Sequence, residues 1–300
     1  MRPEAVIVFM REFVFSVPGE YAGRPIIGFL RGGLGFSTRI VQTLRHTPGA
    51  VLLNGTPARV IDKLQAGDEL RVLLPDNSSP PLLWDAPLDI VYEDDDLLVI
   101  NKPAGLSVHP TRNHPNGTLA NAVAAHIIKG GGEPSAARAV GRLDKGTSGL
   151  ILFAKNIYAA SLLNGKIEKI YIALASAHLP ESGTVDVPIY RPDPLKTLRA
   201  AGETGDSALT HYRVISYHGD YSLCEVKIET GRTHQIRVHM QYLGAPLVGD
   251  DMYGGPLTDC LKRPALHCRS IKFMHPAQNR LMTFCADMPA DIADEINGGR

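Results

Sequence analysis

The sequence contains no apolar stretch of the roughly 20 residues that a membrane-spanning helix requires. The first ten residues, Met1 to Met10, also lack the continuous apolar centre and small-residue cleavage site of a secretory leader, so a cytoplasmic protein is expected. Cysteine is scarce. Cys224, Cys260, Cys268 and Cys285 form no Cys-x-x-Cys pair, and their spacing from histidine fits no zinc-site pattern. These thiols are read as buried or incidental. With no metal-ligand cluster and no phosphate-cradling glycine loop, neither a metal nor an organic cofactor is expected.

Excess charge is missing as well: 31 Lys and Arg balance 31 Asp and Glu. Phosphate contacts supply most non-specific affinity for nucleic acid, so a neutral chain is at first sight a poor candidate for that partner. The balance hides a segregation. Residues 21–61 carry Arg24, Arg31, Arg39, Arg45 and Arg59 with no acid, whereas residues 84–96 carry six acids and no base. Such a separation suits a molecule with one anion-binding face.

A chain of 300 residues suggests two domains. The polar, proline-containing stretch from Asp76 to Pro81 is the candidate linker, giving a small domain over 1–80 and a larger one over 81–300. In the small domain, 23–31 and 37–45 read as short helices, the second capped by Ser37. Strands at 50–55 and 68–74 follow, with Asn54-Gly55 as a hairpin turn. The larger part reads as many short strands and few helices, an α+β domain with a mostly antiparallel sheet. Its expected strands include 169–174, 210–215 and 222–228. Thr118 is placed as the N-cap of a helix running to Lys129, and 286–300 as a mildly acidic tail.

Two motifs carry chemistry. The first is Gly141-Arg142-Leu143-Asp144-Lys145-Gly146-Thr147-Ser148-Gly149, one carboxylate between two cations on a glycine turn, followed by the apolar run Leu150 to Ala154. Four to eight apolar residues bounded by turn signals read as a strand buried on both faces. The second runs from Thr230 through Gly231-Arg232-Thr233-His234-Gln235-Ile236-Arg237-Val238-His239-Met240. Ile236, Met240 and Leu243 share a helical face, with Thr233 as N-cap, Gly244 as the stop, and Arg237 beside the apolar seam. Spacing alone leaves plainer readings open: a capped surface turn for the first and an amphipathic helix with solvated cations for the second.

Arg-Leu-Asp-x-x-Thr-Ser-Gly-Leu-x-Leu-Phe-Ala-Lys, ending at Lys155, closely resembles the catalytic motif of the RluA family of pseudouridine synthases. So do the 230–240 motif, Asn101-Lys102-Pro103 with His109-Pro110, and Leu266 through Pro276. The matches cover about residues 88–285, in the family's order. Gly141 departs from the family, which usually has His there, and the interval between Lys155 and Lys169 is short. The small domain resembles, more weakly, the RNA-binding domain of ribosomal protein S-four.

The resemblance implies an enzyme that detaches uracil from ribose in RNA, turns it, and rejoins it through carbon 5. Large-subunit ribosomal RNA is the first expected substrate and tRNA the second. Asp144 would be the essential acid, and Arg237 would keep it charged and oriented. Tyr171 would stack on the base, since a phenol with a pKa of about 10 is a poor base at neutral pH. Arg142 would fill the stack that the flipped nucleotide leaves, because such chemistry needs the base out of its helix. Lys102, Arg232 and His234 would contact RNA phosphate or brace the loops. The partner is RNA, with no membrane, and the enzyme is expected to act as a monomer. The rival is a non-catalytic RNA-binding or ribosome-assembly factor on the same scaffold.

Overall fold

A computed structural model of the chain describes residues 9–76, 81–111, 114–132 and 137–298. Most of the expected linker, and the first eight residues, lie outside them. The small N-terminal unit contains β1 (Phe9–Ser16), α1 (Ile26–Gly32), α2 (Thr38–His46), β2 (Val51–Leu53), β3 (Thr56–Pro57) and β4 (Glu69–Asp76), with its sheet in the order β1-β4-β2-β3. Ser37 starts α2: its hydroxyl accepts from the Ile40 N–H at 3.3 Å, a cap worth about 1 kcal/mol. Ile40, Val41 and Leu44 then form one buried face against Leu70 and Val72 of β4. Asn54 and Gly55 both have positive φ, 50° and 79°, as the tight hairpin turn requires. β1 was not anticipated. It pairs with β4 along its whole length.

The larger unit begins with β5 (Ile90–Glu93), β6 (Leu97–Lys102), α3 (Leu119–Lys129), β7 (Arg138–Val140), β8 (Ser148–Ala154), α4 (Ile157–Leu163) and β9 (Glu168–Ala175). It continues with β10 (Ser182–Asp186), β11 (Ile189–Tyr190), β12 (Ala200–Ala201), β13 (Leu209–His218), β14 (Tyr221–Ile228) and α5 (Gln235–Tyr242). β15 (Leu266–Met274), β16 (Leu281–Cys285) and α6 (Ala290–Gly298) complete it. The main sheet runs β10-β13-β14-β9-β15-β8-β6-β5, with β7 and β16 paired to β8 and β15. Among the described strand pairs only β15–β8 is parallel. The fold is therefore α+β with a mostly antiparallel mixed sheet.

β8 lies near the middle of this sheet, and all seven of its residues are buried. Its first turn depends on Gly149, at φ 105°, where a Cβ would run into the Cys268 backbone of β15. α3 packs Leu119, Val123 and Ile127, spaced four apart, into the same core. Its start is fixed by Asn121, whose side-chain oxygen accepts from the Thr118 N–H at 2.9 Å. No described helix is long and apolar enough to cross a membrane.

The short interval after Lys155 holds α4, which packs against the small unit. Tyr158 of α4 is ringed by Phe13, Phe15 and Phe36 of the small unit, at centroid distances of 5.1, 5.9 and 4.8 Å. Beside it Arg11 reaches Asp96 at 3.1 Å. The acidic run is taken up by such internal contacts: Glu93 with Lys155, Asp94 with His275, and Asp85 with Lys129.

Three expectations fail locally. α5 starts at Gln235 rather than after Thr233, with His234 as its N-cap in the left-handed region at φ 57°. Residues 235–240 are buried on every side, while Leu243 is 36% exposed, so α5 has no amphipathic stripe. The acidic tail forms α6, which buries Ile292 and pairs Asp291 with Arg263.

Candidate active site

Three segments meet over the centre of the sheet: the loop before β8, the β9 strand, and the entry to α5. The loop is closed by the Thr147 N–H donating to the Asp144 carbonyl at 3.1 Å. Beneath it, Lys102 is fully buried. Its ammonium donates to the carbonyls of Pro103 and Leu106, at 2.9 Å each, and of Lys145 at 3.4 Å. Burial and the charge of Arg263 pull its pKa down to about 7, with Asp144 opposing. Three carbonyls facing three ammonium donors staple the 103–106 and 144–147 loops together. In this position Lys102 presents nothing to a nucleic-acid backbone.

Arg237 enters from α5 and contacts two carboxylates. Asp250 takes it bidentately, with Nε and Nη2 donating at 2.7 Å each. Asp144 lies end-on, 3.7 Å from Nη1. The ring of Tyr253 sits under the guanidinium, 4.8 Å away. Burial opposes the charge on Arg237, but the Asp250 hydrogen bonds and charge outweigh it, and its pKa is raised. The Tyr253 hydroxyl accepts from the Arg199 N–H at 3.1 Å and pairs with His234 Nδ1 at 2.9 Å. The α5 entry is locked by Gln235. Its carbonyl oxygen accepts from Arg232 N and the Thr230 hydroxyl, and its amide donates to Leu209 O and Thr210 Oγ1.

Asp144 opens onto a pocket of about 220 Å³ that Tyr171, Lys169, Arg142, Arg232 and His234 also line. Tyr171 is buried opposite Cys268 of β15. Burial first, then the neighbouring Cys268 and Asp144, push its pKa well above the ordinary phenol value. It therefore meets a ligand as a neutral ring. Arg142 is half-exposed at the mouth, donating to Thr233 Oγ1 at 3.1 Å and standing 3.8 Å from Asp144. Arg232 holds the Ser207 carbonyl at 2.9 Å and approaches Asp206 at 3.7 Å. The His234 pKa is lowered, chiefly by burial, so the imidazole is neutral near pH 7. The result is a carboxylate, Asp144, set between two guanidiniums above an aromatic floor, with Glu229 the other acid of the pocket lining.

A family model described as RNA pseudouridylate synthase matches residues 96–242. The uncharacterized RNA pseudouridine synthase YjbO of Bacillus subtilis is 38% identical over 275 residues, covering 89% of this chain and 96% of the relative. The chain belongs to the RluA family of RNA pseudouridine synthases. Ribosomal large subunit pseudouridine synthase D of Haemophilus influenzae is 41% identical over 232 residues, 70% of each chain. Among solved structures, human RNA pseudouridylate synthase domain containing 1 superposes with a TM-score of 0.55 at 26% identity, over 71% of this chain and 87% of that one.

As a pseudouridine synthase the chain is an isomerase, and all seven residues singled out from the sequence fall in or directly beneath one site. Sequence reasoning missed Asp250 and Tyr253, which hold Arg237, and Lys169, which lines the pocket. Asp250 had a weak signal, as the first of two adjacent acids that precede a glycine turn after the second motif. Tyr253 had none.

Proposed function

We propose that this synthase converts uridine in large-subunit ribosomal RNA to pseudouridine, with Asp144 as the reacting acid. The observation that carries the reading is the placement of Asp144, between Arg237 and Arg142, on a pocket floored by the neutral ring of Tyr171. Arg237 orients the acid, Tyr171 stacks on the flipped uracil, and Arg142 leaves Thr233 to occupy the vacated stack. A planar cation suits that gap because it both stacks and meets phosphate. Arg232 and His234 line the route by which the strand enters. Relatives named ribosomal large subunit pseudouridine synthase D, from Haemophilus influenzae and Xylella fastidiosa, support the ribosomal substrate. That substrate favours a cytoplasmic enzyme, and the reading takes it as a monomer.

The domain over 1–80 is assigned to RNA docking and that over 81–300 to chemistry. In support, Arg31, Arg39 and Arg45 of the small unit are exposed and have no ion-pair partner among the described residues. The test is tritium release from uridine-labelled ribosomal RNA of a strain lacking the gene. The wild type should release label and Asp144→Ala should not. Equal release by both removes Asp144 from the chemistry, and no release by the wild type from ribosomal RNA removes the substrate assignment.

A further inference from the structure

Lys169 lies two residues before Tyr171 on β9, so both side chains leave the strand on one face, and both line the pocket. The other pocket cations are engaged: Arg237 with two acids, Arg142 with Thr233, and Arg232 with Ser207 and Asp206. Lys169 has no hydrogen-bond or ion-pair partner among the described residues. Its ammonium stands 3.1 Å from where a Cβ on Gly141 would be. The missing side chain at 141, a position with φ 80°, is what leaves it room. Burial draws its pKa below the ordinary lysine value, with Cys268 opposing. An unpaired amine held in a pocket wall pays a desolvation cost with no compensation inside the free protein.

We infer that Lys169 donates a hydrogen bond to a carbonyl oxygen of the flipped uracil and stabilises the charge that the detached base carries. The inference rests on the pseudouridine synthase reading. When the bond from C1′ to N1 breaks, its electron pair stays with the base and spreads over N1, O2 and O4. The base then turns about the line through N3 and C6. This turn brings C5 to the place that N1 held and exchanges O2 with O4. C5 supplies the electron pair for the new bond to C1′, its proton is lost, and N1 gains one, so the composition is unchanged. A donor fixed beside one carbonyl meets a carbonyl oxygen in both orientations. Lys169 can therefore serve the bond that breaks and the bond that forms without moving. Donors preset where charge develops contribute about 100- to 1,000-fold each.

Single-turnover tritium release, with enzyme in excess over labelled total RNA from a strain lacking the gene, tests this. Lys169→Met should lower the maximal rate about 100-fold while the enzyme concentration giving half that rate shifts less than about threefold. Lys169→Arg, which restores a charged donor, should recover about a tenth of the wild-type rate. A loss of affinity at unchanged maximal rate would mean a phosphate contact and overturn the inference, as would an unchanged rate and affinity. If Lys169→Met does not fold, Lys169→Leu, which also lacks a donor, decides, and a folded Leu variant at the wild-type rate overturns the inference. A wild type inactive on total RNA would sink the synthase reading instead.

Discussion

Asp144 and Asp250 share one guanidinium and do opposite things with it. Asp250 is 1% exposed and grips Arg237 through two hydrogen bonds of 2.7 Å. Asp144 is 14% exposed, faces the pocket, and approaches the same group only end-on at 3.7 Å. A forked pair satisfies both carboxylate oxygens and fixes geometry. An end-on contact leaves the oxygens of Asp144 open toward a ligand. The buried acid makes the cation rigid, and the cation in turn orients the acid that faces the pocket.

Mutating the two acids separately should break the comparison cleanly. Asp144→Asn should lower the maximal rate by more than about 10⁴-fold, the scale of losing a reacting group, and leave the melting temperature within about 3 °C. Asp250→Asn leaves Arg237 buried with its main partner gone, which costs about 3–5 kcal/mol. In a unit of this size the melting temperature should fall on the order of 10 °C. If thermal denaturation ranks the two variants the other way round, the division of labour is wrong. Arg237→Lys sharpens the point. It keeps the charge but cannot fork to Asp250 and reach Asp144 together. A rate loss of about 100-fold is expected, and a variant with full single-turnover activity would show that charge alone suffices.

Whatever depended on local order was legible in the sequence. The loop at 141–149 and the β8 run declare themselves because their residues are consecutive in the chain. α2 does so because Ser37 and the spacing of Ile40, Val41 and Leu44 agree. What depended on long-range partners was not. Asp250 sits thirteen residues from Arg237, and no spacing rule says which acid a cation will choose. Thr233 has the residue type of an N-cap, but its hydroxyl is taken by Arg142, and the backbone turns at His234 instead. The face Ile236–Met240–Leu243 misled because periodicity assumes one wet side, and the first six residues of α5 have none. The acidic 84–96 segment looked like half of a charge-separated surface, yet several of its acids bond within the fold. β1 was not legible either: Phe13-Val14-Phe15 is an unbroken apolar triplet, and the alternation shows only in burial, where Val14 is exposed between two partly buried rings.

The smallest effects belong to the residues that support Arg237 from beneath. Tyr253→Phe keeps the ring under the guanidinium and removes only the hydroxyl shared by Arg199 and His234, so about 1 kcal/mol of stability should go, with the rate little changed. His234 adds a finer test, since it holds a left-handed conformation that costs a residue with a Cβ about 1–2 kcal/mol. His234→Gly should therefore melt a few degrees above His234→Ala, while both lose the imidazole alike. pH separates the two roles. Burial lowers the His234 pKa below 6.5, Arg237 and Arg142 lower it further, and Asp144 and Asp250 oppose them. The unfolded chain thus binds this proton first as pH falls, and stability declines from about 6.5 down to the folded value. Neutral Nδ1 accepts from the Tyr253 hydroxyl, and a protonated ring cannot. Between pH 7.5 and 5.5 the wild type should lose more melting temperature than His234→Ala, and equal losses would show that the imidazole is not held neutral by this site.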